Sequence, residues 1–522
     1  MEIKKEVTKW FFVLLTVLIV AGCSTGEKKS SNDSDKSSLA SKNNDTLVIA
    51  RLSDAESLDH QFMSTINAAS VTHGKVYEGL VGRDKNAEIQ PLLATEWKQP
   101  DDTTWEFKLR QGVKFHDGTP FNADAVKKTF DRMLDPNVGS PKAALFKMVK
   151  EVKVIDEYTV QFILSEPYSP LLSILASHEG GIISPKSIEK YGKEQIKEPN
   201  GTGPFVFESW TPGQEIVLKS NENYWGTKAK VSKVVFKVVP EETTRISMLE
   251  TGEAQIAEPL SVPMMATVEG SQNTKVYRSE GYGTEYIGFN VKNEKLSDVR
   301  VRKAIAHAVE MDSILKGVYN NVGSEANSLL GSKVFGYDPD LKTYDYNLNE
   351  AKKLLAEAGY PNGFELTLTT MDSRERINVA EVLQSQLKGI GIKLNIEVLE
   401  YGTFVEKVYS GNAEMFIISW RNATGDADYN QYNLFHTNSM GSAGNSSFYS
   451  NKEVDALIGA ARTEKDQEKR IELYAKAQQI EMDDALYIPI RVIENLAATT
   501  KNVEGFSISP SGYLEINDVS IK

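Results

Sequence analysis

Only one of the 522 residues is a cysteine, Cys23, and it stands directly behind an N-terminal leader. The rest of the chain therefore has no disulfide, zinc-thiolate site or cysteine nucleophile to draw on within one molecule. Its fold must rest on burial and hydrogen bonding. Residues 1–22 carry Lys4, Lys5 and Lys9 and then the apolar stretch from Trp10 to Val20, the basic and apolar regions of a secretory signal. That stretch is too short to span a bilayer as a mature helix. Val20-Ala21-Gly22-Cys23 resembles a bacterial lipobox, in which the cysteine is diacylated and the chain is cleaved before it. Lipidation at Cys23 would place the protein on the extracytoplasmic face of the cell membrane, held by more than one acyl chain. An ordinary cleaved signal and an uncleaved anchor are the alternatives. Residues 23–45 are rich in Ser, Asn, Asp and Lys and read as a flexible tether that cannot bury a core.

Removing residues 1–22 takes three lysines and two glutamates from 59 basic and 72 acidic residues. The remaining 56 and 70 give a formal charge of −14, which argues against a nucleic-acid partner. The remainder is long for a single core, so two or three domains are expected. Apolar periodicity predicts strands over 46–52, 104–109, 364–369, 392–398 and 415–419. It predicts helices over 66–77, 123–133, 377–389 and 401–410, and another capped by Asn349 and stopped by Gly359 and Pro361. This is a mixed α/β pattern.

Several segments then resemble one family. Leu93-Ala94-Thr95-Glu96-Trp97 through Trp105-Glu106-Phe107 to His116-Asp117-Gly118 is the most specific, joined by Gly201-Thr202-Gly203-Pro204-Phe205, Asn223-Tyr224-Trp225, Val299-Arg300 to Ala306, Gly389-Ile390-Gly391-Ile392, and Trp420 with Gly425-Asp426-Ala427-Asp428. They are similar to family 5 solute-binding proteins, the substrate-binding lipoproteins of peptide, glutathione and nickel ABC transporters, in particular the dipeptide- and glutathione-binding members. Physical chemistry alone reads most of them as scaffold. Residues 115–120 form an Asp-Gly and Pro turn, with His116 a structural hydrogen-bonding residue, and residues 201–205 lack the lysine of a phosphate loop.

The resemblance implies an α/β, two-lobe periplasmic-binding-protein-like fold of class II type with an inserted subdomain. Lobe I would comprise 46–75, 200–289 and 495–522, the insertion 76–199, and lobe II 290–494. A two-segment hinge would lie near Gly288-Phe289-Asn290 and Ile493-Glu494-Asn495, with ligand enclosed by closure of the lobes.

A zwitterionic peptide held in a closed cleft needs a partner for each charge. Peptide-binding members place an aspartate three residues after the tryptophan matching Trp420; here Ala423 stands there. Asp426 and Asp428 are the nearest acids, as ligand contacts or as turn and helix-cap residues. Dipeptide binders carry an arginine where an ungapped comparison puts Thr370. Arg374 and Arg376 follow in the same loop, as carboxylate partners or as solvated side chains. These departures favour glutathione or another modified short peptide. Phe62, Met63, Ser64 and Thr65, with Tyr282, Tyr286 and Phe289, would complete the cleft or pack in the core.

The resemblance implies a short peptide-like ligand and the ABC permease subunits, with their separate ATPase, as partners. It implies a monomer, no cofactor and no enzymatic activity. A nickel chelate is the alternative ligand, but the six histidines lack ligand spacing and His436 is the only candidate. A penicillin-recognising serine acyltransferase would use Ser313-Ile314-Leu315-Lys316 and Ser410-Gly411-Asn412, yet the Lys-Thr-Gly element is absent. Asp312 is better read as a helix cap. An adhesin or peptide sensor is a third possibility.

Overall fold

The computed structural model describes residues 45–441 and 444–522. The leader, Cys23 and the tether fall outside the described residues, apart from Asp45, whose side chain and carbonyl accept from Ser232. Two long strands organise the rest. Thr274–Phe289 is almost wholly buried from Tyr282 onward, and it runs antiparallel to Tyr487–Thr500. On one side they continue into Ile256–Glu258, Thr46–Arg51, Lys233–Val238, Glu215–Ser220 and Phe205–Thr211; on the other into Met415–Arg421, Glu365–Met371 and Lys393–Leu399. With the short strand Ser324–Glu325 pairing beside Tyr487–Thr500, the result is one eleven-stranded mixed sheet shared by two lobes.

Each lobe covers both faces of its part of the sheet. In the first, Leu47, Ile49 and Phe236 pack in one cluster, while Ala50, Leu249 and Ala257 pack in another. In the second, Ile287, Ile417 and Leu383 lie in one cluster, and Tyr286, Phe416 and Ile418 in the other. Opposite-face alternation along each strand dictates this division. An inserted four-stranded antiparallel sheet, ordered Ala94–Asp101, Thr104–Leu109, Thr159–Leu164 and Val149–Asp156, has its own core. There Phe130 of helix Ala123–Leu134 meets Phe162 and Phe146 edge-on at 4.9 and 5.2 Å. Burying a ring of that size contributes about 1.5–3 kcal/mol.

Where the two long strands pass between lobes, the ladder breaks. Register shifts between Glu280 and Thr284, and Gly281 to Gly283 have no partner on the opposite strand. The interruption therefore precedes the segment Gly288-Phe289-Asn290, near which the hinge was expected; Gly288 sits opposite both Phe416 and Tyr487.

Most predicted elements form with shifted ends. Helix 66–77 stops at Thr72, because Gly74 takes a left-handed φ of 66° and turns the chain. Asn347, not Asn349, caps helix Leu348–Glu357, accepting from the Glu350 amide. Helix Met311–Gly317 is capped by Glu310 rather than Asp312. The helix expected from residue 377 begins at Arg374, so Arg374 and Arg376 lie in its first turn and not in the preceding loop.

Candidate functional site

The strand Met415–Arg421 pairs along its whole length with Thr274–Phe289, but on its other side only Met415 and Phe416 have ladder partners. Ile417 to Arg421 thus present a free strand edge where the sheet opens toward the junction of the lobes. A cavity of about 370 Å³ lies at that junction. Arg421, Glu375 and Arg491 line it from the second lobe, Ile66, Asn67 and Glu258 from the first, and Ile493 to Asn495 from the crossover.

The charges in this cleft are unevenly matched. Glu258 approaches Arg51 at 3.3 Å, and Glu494 holds Arg278 through two contacts of 2.6 and 3.0 Å. Arg491 donates from Nε to Glu285 at 3.1 Å and from Nη1 to the Val322 carbonyl at 2.9 Å, and its guanidinium lies 3.6 Å over the Tyr319 ring. Glu375 accepts from Ser373 Oγ at 3.1 Å. Arg421 differs from all of these: its side chain lines the cleft, is exposed there, and among the described residues has neither a hydrogen bond nor an ion pair. Desolvation first, and the nearby Arg491 second, push its pKa down. An anion beside Arg421 would relieve both effects.

Glu285 fixes this wall. Its buried carboxylate takes Arg376 at 2.8 Å, Arg491 at 3.1 Å and the Tyr319 hydroxyl at 2.7 Å. Burial alone would raise its pKa, but the two arginines outweigh that and hold it below the ordinary glutamate value. Arg376 also donates to Ser419 Oγ at 2.9 Å, which ties the helix Arg374–Lys388 to the free-edged strand. Arg374 is exposed on the same turn. Trp420 tilts against Tyr429, ring centroids 5.7 Å apart, with its indole N–H buried and without a partner.

The remaining candidate residues fall elsewhere. Met63 is fully buried and accepts a contact from the Thr72 hydroxyl at 3.6 Å. Ser64 is exposed and bonds Glu56. Tyr286 and Phe289 belong to the second lobe's core clusters. Tyr282 is buried beside Arg83 and Gly425 with its hydroxyl unpartnered, and it lines a separate cavity of about 380 Å³.

Asp426 and Asp428 are occupied. Asp426 caps helix Ala427–Phe435 and receives Arg470 Nη2 at 2.9 and 3.1 Å and the Ser173 hydroxyl at 3.3 Å. Asp428 meets Arg462 Nε at 2.9 Å and accepts from the Tyr168 hydroxyl at 2.9 Å. Burial raises the Asp428 pKa despite Arg462. Tyr168 and Ser173 come from the inserted segment, so these two acids clasp it to the second lobe and do not line the cleft cavity. The cap alternative suits Asp426. Its sequence signal was an Asp at the start of an apolar helix.

Arg421, Arg491 and Glu285 were missed by sequence reading. The available signal was a charged residue inside otherwise apolar strand runs, as in Tyr286-Ile287 after Glu285 and Ile490 and Val492 around Arg491. Among the described residues no group of three or more His, Asp or Glu side chains is placed to hold a metal. His436 stacks on Tyr432 at 4.6 Å and accepts from the Asn438 amide, a structural position.

Two lobes on a shared sheet, with a charged cleft at their junction, define a solute-binding protein of the periplasmic type. The chain belongs to the bacterial extracellular solute-binding proteins, family 5, whose model matches residues 88–442. It is similar to the glutathione-binding protein GsiB of Escherichia coli O1:K1 / APEC, with 32% identity over 455 residues, 85% of this chain and 89% of the relative. Among solved structures, HbpA2 from Haemophilus parasuis matches with a TM-score of 0.83 and 29% identity, covering 91% of this chain and 100% of that one. The periplasmic binding protein DppA from Helicobacter pylori, in complex with the peptide STSA, matches with a TM-score of 0.74 and 31% identity, over 91% and 98%. The family is one of solute-binding proteins, and this protein is a solute-binding protein rather than an enzyme.

Proposed function

We propose that the protein is the extracytoplasmic, Cys23-lipidated substrate-binding component of an ABC importer, which captures short peptides of the glutathione type and delivers them, as a monomer, to the permease. The observation that carries this reading is Arg421, a cation without a protein partner at the free edge of Met415–Arg421, lining one cleft with Arg491. A guanidinium fork suits a carboxylate. The free edge suits an extended peptide backbone, which can add to it as a strand. Glu258 and Glu494 already hold arginines and Arg491 holds Glu285, so the charges of the cleft lining left without an opposite partner are Arg421 and Glu375, one suited to a carboxylate and one to an ammonium. Ala423, in place of the acid that dipeptide binders use for the ammonium, favours glutathione or another modified short peptide over a simple dipeptide. Closure would turn on the interrupted ladder at Gly281 to Gly283 and Ile493.

Thermal unfolding with reduced and oxidised glutathione, dipeptides, oligopeptides, cystine and nickel chelates tests the reading. A ligand present at a hundredfold excess over its Kd stabilises the folded state by about 2.7 kcal/mol. Glutathione is expected to raise the Tm more than any dipeptide. A shift by nickel chelates alone, or by none of the panel, rejects the proposal.

A further inference from the structure

A larger cavity, of about 640 Å³, lies between the inserted segment and the second lobe. It shares no lining residue with the cleft. Its volume falls in the range of about 300–1,000 Å³ that small-molecule sites occupy. Ile89, Trp97, Trp105 and Leu172 line it from the inserted side, and Val334 and Phe335 from the second lobe. Three of these six side chains are aromatic. Trp105 is only 7% exposed, and its indole N–H is buried with no partner. A buried donor of that kind is normally satisfied, and the face of a ligand's aromatic ring would accept from it.

The charged groups around the cavity also select. Asp426 and Arg470 neutralise one another at 2.9 Å. Arg83 is fixed by donating to the Ala87 carbonyl at 2.5 Å and to the Thr424 carbonyl. Lys333 is exposed at the rim, where Glu88 is the one opposing acid. Positive charge is therefore in excess by one.

We propose that this cavity is a second ligand site, for a small aromatic acid whose ring system lies among Trp97, Trp105 and Phe335 and whose anionic group sits toward Arg83 and Lys333. Because its walls come from both the inserted segment and the second lobe, such a ligand also ties the two together beside the Asp426–Arg470 pair.

Calorimetric titration of the full chain with 2-naphthoate tests this. One equivalent is expected to bind, at least tenfold more tightly than the neutral 2-naphthylmethanol. Leu172→Trp, which fills the cavity, is expected to weaken 2-naphthoate at least tenfold, and Lys333→Glu, on the exposed rim, at least threefold. Arg421→Ala, in the cleft, should leave it unchanged. The proposal is overturned if 2-naphthoate does not bind, if its affinity survives Lys333→Glu, or if Arg421→Ala abolishes it. Should Leu172→Trp fail to fold by circular dichroism, Lys333→Glu decides. Failure here leaves the glutathione-type reading of the cleft intact, since that rests on Arg421.

Discussion

Arg421 and Glu285 show how differently two charged residues on one sheet face can be used. Glu285 serves the folded state, as the shared acceptor for Arg376, Arg491 and Tyr319. Arg421 has no protein acceptor and lies exposed in the cleft near another cation, Arg491, whose repulsion is offset when an anion binds. Arg421→Ala should therefore lower affinity for the cleft ligand by about 10–100-fold, since a charge-assisted hydrogen bond contributes about 1.5–3 kcal/mol. The melting temperature of the ligand-free protein should be unchanged or slightly higher. Calorimetry and thermal unfolding of the same preparation check both halves, and a destabilised apo variant would show that Arg421 is a structural residue. Neither role was legible in the sequence. Arg421 follows Trp420 immediately, and strand alternation sends the two side chains to opposite faces. A motif centred on the tryptophan therefore directs attention to the face opposite Arg421.

At the scale of elements, local signals located the strand and helix units of the second lobe but displaced their ends. The Ser373 amide closes a turn onto Met371, so helical structure starts at Arg374, well before the apolar periodicity becomes clear at Ile377. The glycines were more informative than the caps. Gly359 and Gly363 both have left-handed φ, 91° and 74°, in the turn after helix Leu348–Glu357. A Cβ at Gly359 would meet nothing within 4 Å, whereas one at Gly363 would run into the Gly391 carbonyl, where the next helix-to-strand turn packs against this one. Gly359→Ala should cost only the left-handed backbone term of about 1–2 kcal/mol. Gly363→Ala adds overpacking of about 1–3 kcal/mol to that same term. Urea unfolding of the two variants tests the contrast, and equal losses would mean that the two turns yield without strain. Sequence alone could mark both as turn glycines, but not which of them touches a second loop far along the chain.

For the whole molecule, the features that escaped prediction are those made by distant segments meeting. The shared sheet depends on Thr274–Phe289 pairing with Tyr487–Thr500, and the junction of the first lobe with the inserted segment gathers His60 and His73 close to His178. His60 is 1% exposed, lies edge-on to Tyr77 at 4.9 Å, and has both ring nitrogens buried without partners. Burial lowers its pKa to about 4, with the nearby His178 acting in the same direction and Asp59 against it. His73, partly open to a cavity, is lowered to about 3 by the same cause. A histidine whose folded pKa is depressed binds more protons when unfolded. Its contribution to stability is thus complete above the unfolded value of 6.5 and is lost as pH falls from there toward 4. His60 alone should impose a slope of up to about 1.4 kcal/mol per pH unit in that window. Glu179, held near 2 by His178 and Lys142 against its burial, adds an acid loss only below about 4.5. Urea unfolding between pH 7.5 and 5 is therefore expected to show stability falling with acidity well before the carboxylates titrate. His60→Phe keeps an aromatic ring beside Tyr77 and removes the proton site, so its slope should be shallower by roughly the His60 share. Parallel slopes for the variant and the wild type would mean that the His60 pocket admits water and that the histidine titrates normally.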